Sequence, residues 1–193
     1  EAIGLRPGTI ATLALIFIVA VFATHYRLLS MPYFWDEVGQ FIPASQDLYR
    51  DGSLVPVSAT PNVHPPGVMA WIALWWKALG PSIAVTRCAM LLLGALALLV
   101  AFLLAVELSG STPGMPALFA VLLLACAPVF YTQSLLAQLD MPAMLFTGLA
   151  FLLFLREKHP WAVAACCALV LVKETGAIVP ALFLAWLAAE RRF

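Results

Sequence analysis

Apolar residues run through this chain in blocks long enough to cross a lipid bilayer, and polar residues gather in a few breaks between them. The first block, 9–29, is nearly unbroken and matches the roughly 20 residues that a helix needs to span a hydrocarbon core about 30 Å thick. Further blocks fall at 84–106, 115–135 and 139–156, and the pattern predicts a membrane helix in each. Residues 160–190 are apolar except at Lys173-Glu174-Thr175-Gly176. That break leaves two arms, 160–173 and 177–190, each too short for a full crossing. Interrupted helices are tolerated at membrane depth only against protein or a watery cavity, so a short helical hairpin is expected here, its turn facing such a cavity. The expected fold is all-α, a polytopic integral membrane helical bundle.

Between the first two blocks the chain changes character. Residues 31–83 hold four of the ten acidic residues, seven of the 14 prolines and four of the six tryptophans. A connection of that length is usually functional or folded in its own right. A first amphipathic helix is expected over 37–50, with Asp36 as its N-cap, a kink at Pro43 and Gly52 as its stop. Pro56 and Pro61 oppose helix in the link that follows. A second helix is expected over 66–79, opened by Pro65 and Pro66 and closed by Gly80-Pro81. Its Trp71, Trp75 and Trp76 favour a place in the membrane–water interface.

Composition sharpens this picture. Of the 193 residues 64% are hydrophobic and 10% charged, with mean hydropathy +1.00. Soluble domains carry about 25% charged residues, so a soluble domain is excluded. Zero net charge leaves no basic stripe to follow a nucleic acid. Cys88, Cys126, Cys166 and Cys167 lie inside apolar blocks without CxxC or His-paired spacing, and read as small packing residues. The first residue is Glu, so the start is expected to be a processing boundary; the first block is as long as a spanning helix and lacks a small-residue cleavage site, so it reads as an anchor. The last apolar block runs straight into the final residues, and residues 1–193 are expected to be the N-terminal part of a longer transmembrane module. The ten Lys and Arg divide five against five between the two sides, so they do not set the orientation. Alternation of the spans, however, brings the 31–83 loop, the turn before Asp140 and the turn at Lys173 to one side. Glu107 and Arg156-Glu157-Lys158 fall on the other.

One face thereby collects Asp36, Glu37, His64, Arg87, Asp140, Lys173 and Glu174. Ionisable groups at membrane depth are costly and point to a functional site. Carboxylates mixed with cations suit an anionic lipid substrate. A carboxylate can take a proton from an incoming hydroxyl while an oxocarbenium-like sugar centre develops. Cations can stabilise a departing phosphate. Plainer roles compete: Asp36 as a helix cap, Glu37 facing a helix dipole, His64 in a solvated loop, Arg87 reaching for headgroups, Lys173 paired with Glu174.

The order of these features carries a resemblance. Trp35-Asp36-Glu37 follows the first span, His64-Pro65-Pro66-Gly67 opens the interfacial helix, and Arg87 comes early in the second span. Asp140 stands at the turn after the third, and Val172-Lys173-Glu174-Thr175-Gly176 comes later. This order resembles the GT-C membrane glycosyltransferases of the protein O-mannosyltransferase and aminoarabinose-transferase type. The resemblance implies an inverting glycosyltransferase. Such an enzyme moves a sugar from a polyprenyl-phosphate donor to a hydroxyl acceptor on protein, lipid or glycan. It implies an extracytoplasmic active site on a multi-pass protein of the cell inner or plasma membrane, with membrane lipid as surroundings and no nucleic acid as partner. Residue by residue, it implies catalytic roles for Asp36 (base or acceptor-orienting group), Glu37 and Asp140. It puts Lys173 at the donor phosphate, with His64 and Arg87 beside it. No metal ligand set is identified, and a divalent cation is the one cofactor left open. Gln133 and Gln138 depart from the basic residues that relatives often carry before the second acidic motif, which bears on the acceptor. Two other classes share the composition, a transporter or flippase with a midplane site at Lys173 and a non-catalytic lipid-binding subunit. The long acidic first loop and the lack of an internal repeat favour the enzyme.

Overall fold

The computed structural model describes residues 6–59, 64–110 and 114–190, and every regular element among them is helical. Pro61, residues 111–113 between the second and third apolar blocks, and Arg191 and Arg192 lie outside the described residues. The chain is an all-α membrane helical protein built around one long helix.

That helix is α4, Ile83–Leu108, capped where Ser82 Oγ accepts the Val85 N–H at 3.2 Å. Its central residues Met90, Leu91, Ala95 and Leu98 are buried, because helices α1 (Pro7–His25), α3 (Gly67–Leu79), α5 (Met115–Ala125) and α7 (Asp140–Leu155) all pack on it. Helix α1, Pro7–His25, is different: it is apolar all round yet buries only Val21 and His25. Leu15, Ile16 and Val19 stay more than half exposed, the pattern of a helix whose solvent is lipid. With the 3₁₀ turn Tyr26–Leu28, α1 has mean hydropathy 2.1, and α4 has 2.9. Among the described residues these two helices are long and apolar enough to cross a bilayer.

The third apolar block departs from expectation. A continuous helix over 115–135 does not form; the block splits into α5, Met115–Ala125, and α6, Pro128–Gln133. Pro128 has no N–H to give and forces Ala127 into an extended conformation, ψ 125°. His25 fastens the break. Its Nε2 lies 2.9 Å from the Tyr131 carbonyl and its ring stacks on Tyr131.

Helix α7, Asp140–Leu155, has 16 residues and is about 24 Å long at 1.5 Å per residue, short of a full crossing. The reason is depth. The turn that precedes it lies along α4 at the level of Arg87 and Gly94, where Gly94 faces Ser134 and Arg87 bonds the Leu135 carbonyl. Those levels are roughly 6 and 16 Å below the start of α4. Asp140 therefore opens α7 below the start of α4, with its side chain exposed. The hairpin follows as α8, His159–Val172, the 3₁₀ turn Glu174–Ala177, and α9, Ile178–Ala189. At the opposite pole Arg156 Nε bonds Glu107 Oε2 at 2.7 Å, tying the ends of α7 and α4. The four cysteines are free.

The first loop contains both expected helices, with a change at the front of the first. Instead of one kinked helix from residue 37, a π-helical turn, Glu37–Phe41, leads into α2, Ile42–Asp51. Pro43 cannot donate to a carbonyl in the preceding turn, and the Ile42 N–H reaches back five residues to the Glu37 carbonyl. Gly52, at φ 71°, ends α2 in the left-handed conformation. The carboxylate of Asp47 accepts the Val57 and Ser58 N–H groups at 2.7 and 2.9 Å, folding the link back. Those bonds, the Ser58 one foremost, hold its carboxyl below the usual range. Helix α3, Gly67–Leu79, then packs on both α2 and α4. Its tryptophans act as packing groups more than as surface anchors. Trp76 is buried and donates to Thr86 Oγ1 at 2.9 Å, and Trp71 donates to the Ala89 carbonyl at 3.1 Å.

Candidate active site

An arginine four residues into an apolar helix needs a partner, and Arg87 has one. Its guanidinium meets Glu37 in a bidentate pair, Nη1 to Oε1 at 2.5 Å and Nη2 to Oε2 at 3.0 Å. Nη1 also donates to the Leu135 carbonyl at 2.9 Å, and Nη2 to the carbonyls of Pro32 and Met31 at 3.1 and 3.2 Å. Glu37 accepts two further bonds, from the Ala137 N–H at 2.7 Å and the Phe34 N–H at 3.3 Å. The Tyr33 ring lies 5.0 Å from the guanidinium carbon. Burial raises the Tyr33 hydroxyl pKa, against the lowering pull of its hydrogen bond with Thr86 and of Arg87. Both charged side chains are 0% exposed. Burying such a pair is tolerable because its donors and acceptors are satisfied by each other and by backbone. The pair clamps three segments together: the 31–37 loop, α4 and the 135–137 turn.

Neither clamp residue lies at the surface with the other predicted site residues. A phosphate could approach Arg87 only by displacing Glu37 or the carbonyls that occupy its donors. What the clamp does is fix the neighbours. Asp36 adjoins Glu37, and Asp140 follows Ala137 by three residues. Asp36 is exposed, and although it precedes the helical turn its side chain caps nothing. Trp35, immediately before it, stands at φ 54°.

An ion pair and a histidine–carboxylate hydrogen bond form where α7, the hairpin turn and the first loop meet. Lys173 ends α8 with an extended backbone, φ −147°, and its Nζ reaches Asp140 Oδ1 at 3.0 Å. The next residue, Glu174, has Oε2 3.0 Å from His64 Nδ1. That hydrogen bond is the first cause holding the Glu174 carboxyl below its usual range. The Phe41 ring stacks on His64 with centroids 6.2 Å apart. Gly67 is what lets the loop come so close. A Cβ at that position would run into the Leu171 carbonyl of α8. Among the described residues, no three of His, Cys, Asp and Glu gather as a metal-binding group.

Lys173 also lines a cavity of about 450 Å³ between α4, α7 and the hairpin. Its walls are apolar, with Val100 and Ala101 from α4, Met144 from α7, and Leu169 and Val179 from the hairpin. Lys173 is its charged group, with Thr175 nearby. The sequence had pointed to these charged residues but not to the contacts that arrange them. The backbone partners at Met31, Pro32, Leu135 and Ala137 carry no sequence signal. The Arg87–Glu37 pairing did have one, since a charge inside an apolar helix requires an opposite charge.

A family model described as dolichyl-phosphate-mannose-protein mannosyltransferase matches residues 63–193, more than half of the chain. No curated protein and no solved structure matches it.

Proposed function

Because this chain belongs to the dolichyl-phosphate-mannose-protein mannosyltransferase family, we propose that it transfers a sugar from a polyprenyl-phosphate donor to a hydroxyl acceptor at the extracytoplasmic membrane face. The observation that carries this reading is Lys173. It is a cation on an apolar cavity between membrane helices, paired with Asp140 at 3.0 Å. An apolar groove with a cation suits a lipid phosphate, whose chain takes the groove and whose head meets the charge.

In this reading Asp36 takes the proton of the acceptor hydroxyl as its oxygen bonds to the anomeric carbon of the sugar. The bond from that carbon to the phosphate oxygen breaks, and polyprenyl phosphate leaves with the electron pair. Attack from the face opposite the leaving group inverts the anomeric centre. Lys173 stabilises the charge that develops on the phosphate, next to His64, which Glu174 and Phe41 hold in place. Asp140 orients Lys173. Glu37 and Arg87 are positioning residues, holding the loop of Asp36 against the turn that leads to Asp140.

Asp36→Asn and Lys173→Ala test the assignment in membranes supplied with a radiolabelled polyprenyl-phosphate mannose. Asn keeps the size of Asp but cannot take the proton, so turnover falls by about 10²–10⁴-fold with donor binding kept. Lys173→Ala instead weakens donor binding, because the cation helps ground state and transition state alike. Normal transfer by Asp36→Asn removes the base, and unchanged donor affinity and turnover in Lys173→Ala remove the phosphate site.

A further inference from the structure

Threonines in the helices of this chain tend to return their hydroxyls to their own backbone. Thr12, Thr24, Thr86 and Thr132 each donate to the carbonyl four residues back, at 2.9, 3.0, 3.1 and 2.9 Å. Thr147, in the middle of α7, does not. Its hydroxyl forms no hydrogen bond among the described residues, and it lines the cavity between α4, α7 and the hairpin. Thr175 is the second hydroxyl on that cavity, and it too bonds nothing among the described residues. The turn that carries it sits close on α8 at Gly176, where a Cβ would run into the Leu169 side chain. Lys173, two residues before, has three N–H donors and spends one on Asp140. The walls are otherwise apolar, so an ammonium and two hydroxyls are left with hydrogen-bonding capacity to spare. Thr147 follows Asp140 by seven residues, roughly 10 Å further along α7. The unused donors therefore continue from the Asp140–Lys173 pair down into the cavity.

We propose that Thr147 and Thr175 bind the phosphate of the lipid donor together with Lys173. The phosphate then enters the cavity below the Asp140–Lys173 pair, and the sugar stays above it, on the side of the first loop. This rests on the sugar-transfer reading given above. A prenyl chain in the cavity would leave both hydroxyls unanswered against apolar walls, which is costly. A phosphate answers both, since its non-bridging oxygens are charged acceptors, and hydrogen bonds to charged groups are the stronger kind. When the bond to the sugar breaks, the phosphate gains negative charge, and the same two hydroxyls stabilise it beside Lys173.

The test measures binding of a polyprenyl phosphate, and of the matching polyprenol without phosphate, to the protein in nanodiscs. Thr147→Val and Thr175→Val keep the shape of the side chain and remove the hydroxyl. Each is expected to weaken polyprenyl phosphate binding about tenfold and to leave polyprenol binding unchanged. Thr147→Ser and Thr175→Ser, which keep the hydroxyl, should regain most of the loss. Valine variants that bind the phosphate as tightly as the unaltered protein overturn the proposal. Equal losses for phosphate and polyprenol also overturn it, because the hydroxyls would then meet the chain. Phosphatidic acid serves as a competitor, expected to be weak. If it displaces polyprenyl phosphate at equal concentration, the site is a general one for lipid headgroups and the donor assignment falls. Lys173→Ala separates this inference from the reading beneath it. Weakened phosphate binding there, with full binding in both valine variants, sinks the threonine role alone. Unchanged binding in Lys173→Ala sinks the phosphate site, and this inference with it.

Discussion

Arg87 and Glu37 show how much one pair of side chains can organise. Between them they reach backbone groups of Met31, Pro32, Phe34, Leu135 and Ala137. Removing one partner leaves the other as an uncompensated buried charge, which costs about 3–5 kcal/mol. Replacing both with apolar residues of similar volume removes that penalty. Glu37→Met and Arg87→Met should each lower stability in detergent by that order. The double variant should be less destabilised than the sum of the singles, a coupling read by a double-mutant cycle on unfolding. Additive losses would mean that the two side chains do not form one unit. In the double variant the fold recovers more than transfer does, because the loop of Asp36 has lost its anchor to the 135–137 turn.

At the scale of elements, the site is made by three ends converging: the first loop, the start of α7 and the hairpin turn. A tight approach among them is Gly67 against Leu171, where α3 begins on the end of α8. A methyl group there must move backbone, so Gly67→Ala should cost about 1–3 kcal/mol, as overpacking does. Gly39, in the π-helical turn, has open space where its Cβ would go. Gly39→Ala should therefore be neutral or slightly stabilising in the same unfolding measurement. Equal losses in both would show that the tight contact at Gly67 is not what the position needs. The same convergence explains the shortness of α7. A turn tied to Arg87 and Gly94 starts its helix below the start of α4, and the residue it opens on is the exposed Asp140.

For the whole molecule, the two poles are distinct. One carries Asp140, Lys173, His64 and Glu174; the other carries the Glu107–Arg156 bond. In a variant without native cysteines, Val57→Cys and Lys158→Cys should react with an impermeant maleimide from opposite sides of the membrane. Both positions are exposed, Val57 on the first loop and Lys158 between α7 and α8. Labelling of both from one side would break the alternation on which the shared face depends.

The sequence alone determined the all-α membrane class, because apolar blocks of about 20 residues with few charges have no other stable form in lipid. It also located α2, α3 and the hairpin break, since Pro66, Gly52, Gly80 and Lys173 through Gly176 act on the backbone locally. It singled out the charged residues of the candidate site, because a charge in an apolar run stands out at any depth. Tertiary structure decided which of them touch. Arg87 belongs with Glu37 and backbone carbonyls, not with the surface cluster, because packing against α4 brought residues 31–37 and 135–137 to its guanidinium. Lys173 turned to Asp140 and left Glu174 to His64, a choice set by where α8 ends against α7 and α3. Those pairings depend on contacts between residues 33 to 110 positions apart, and no local pattern in the chain encodes them.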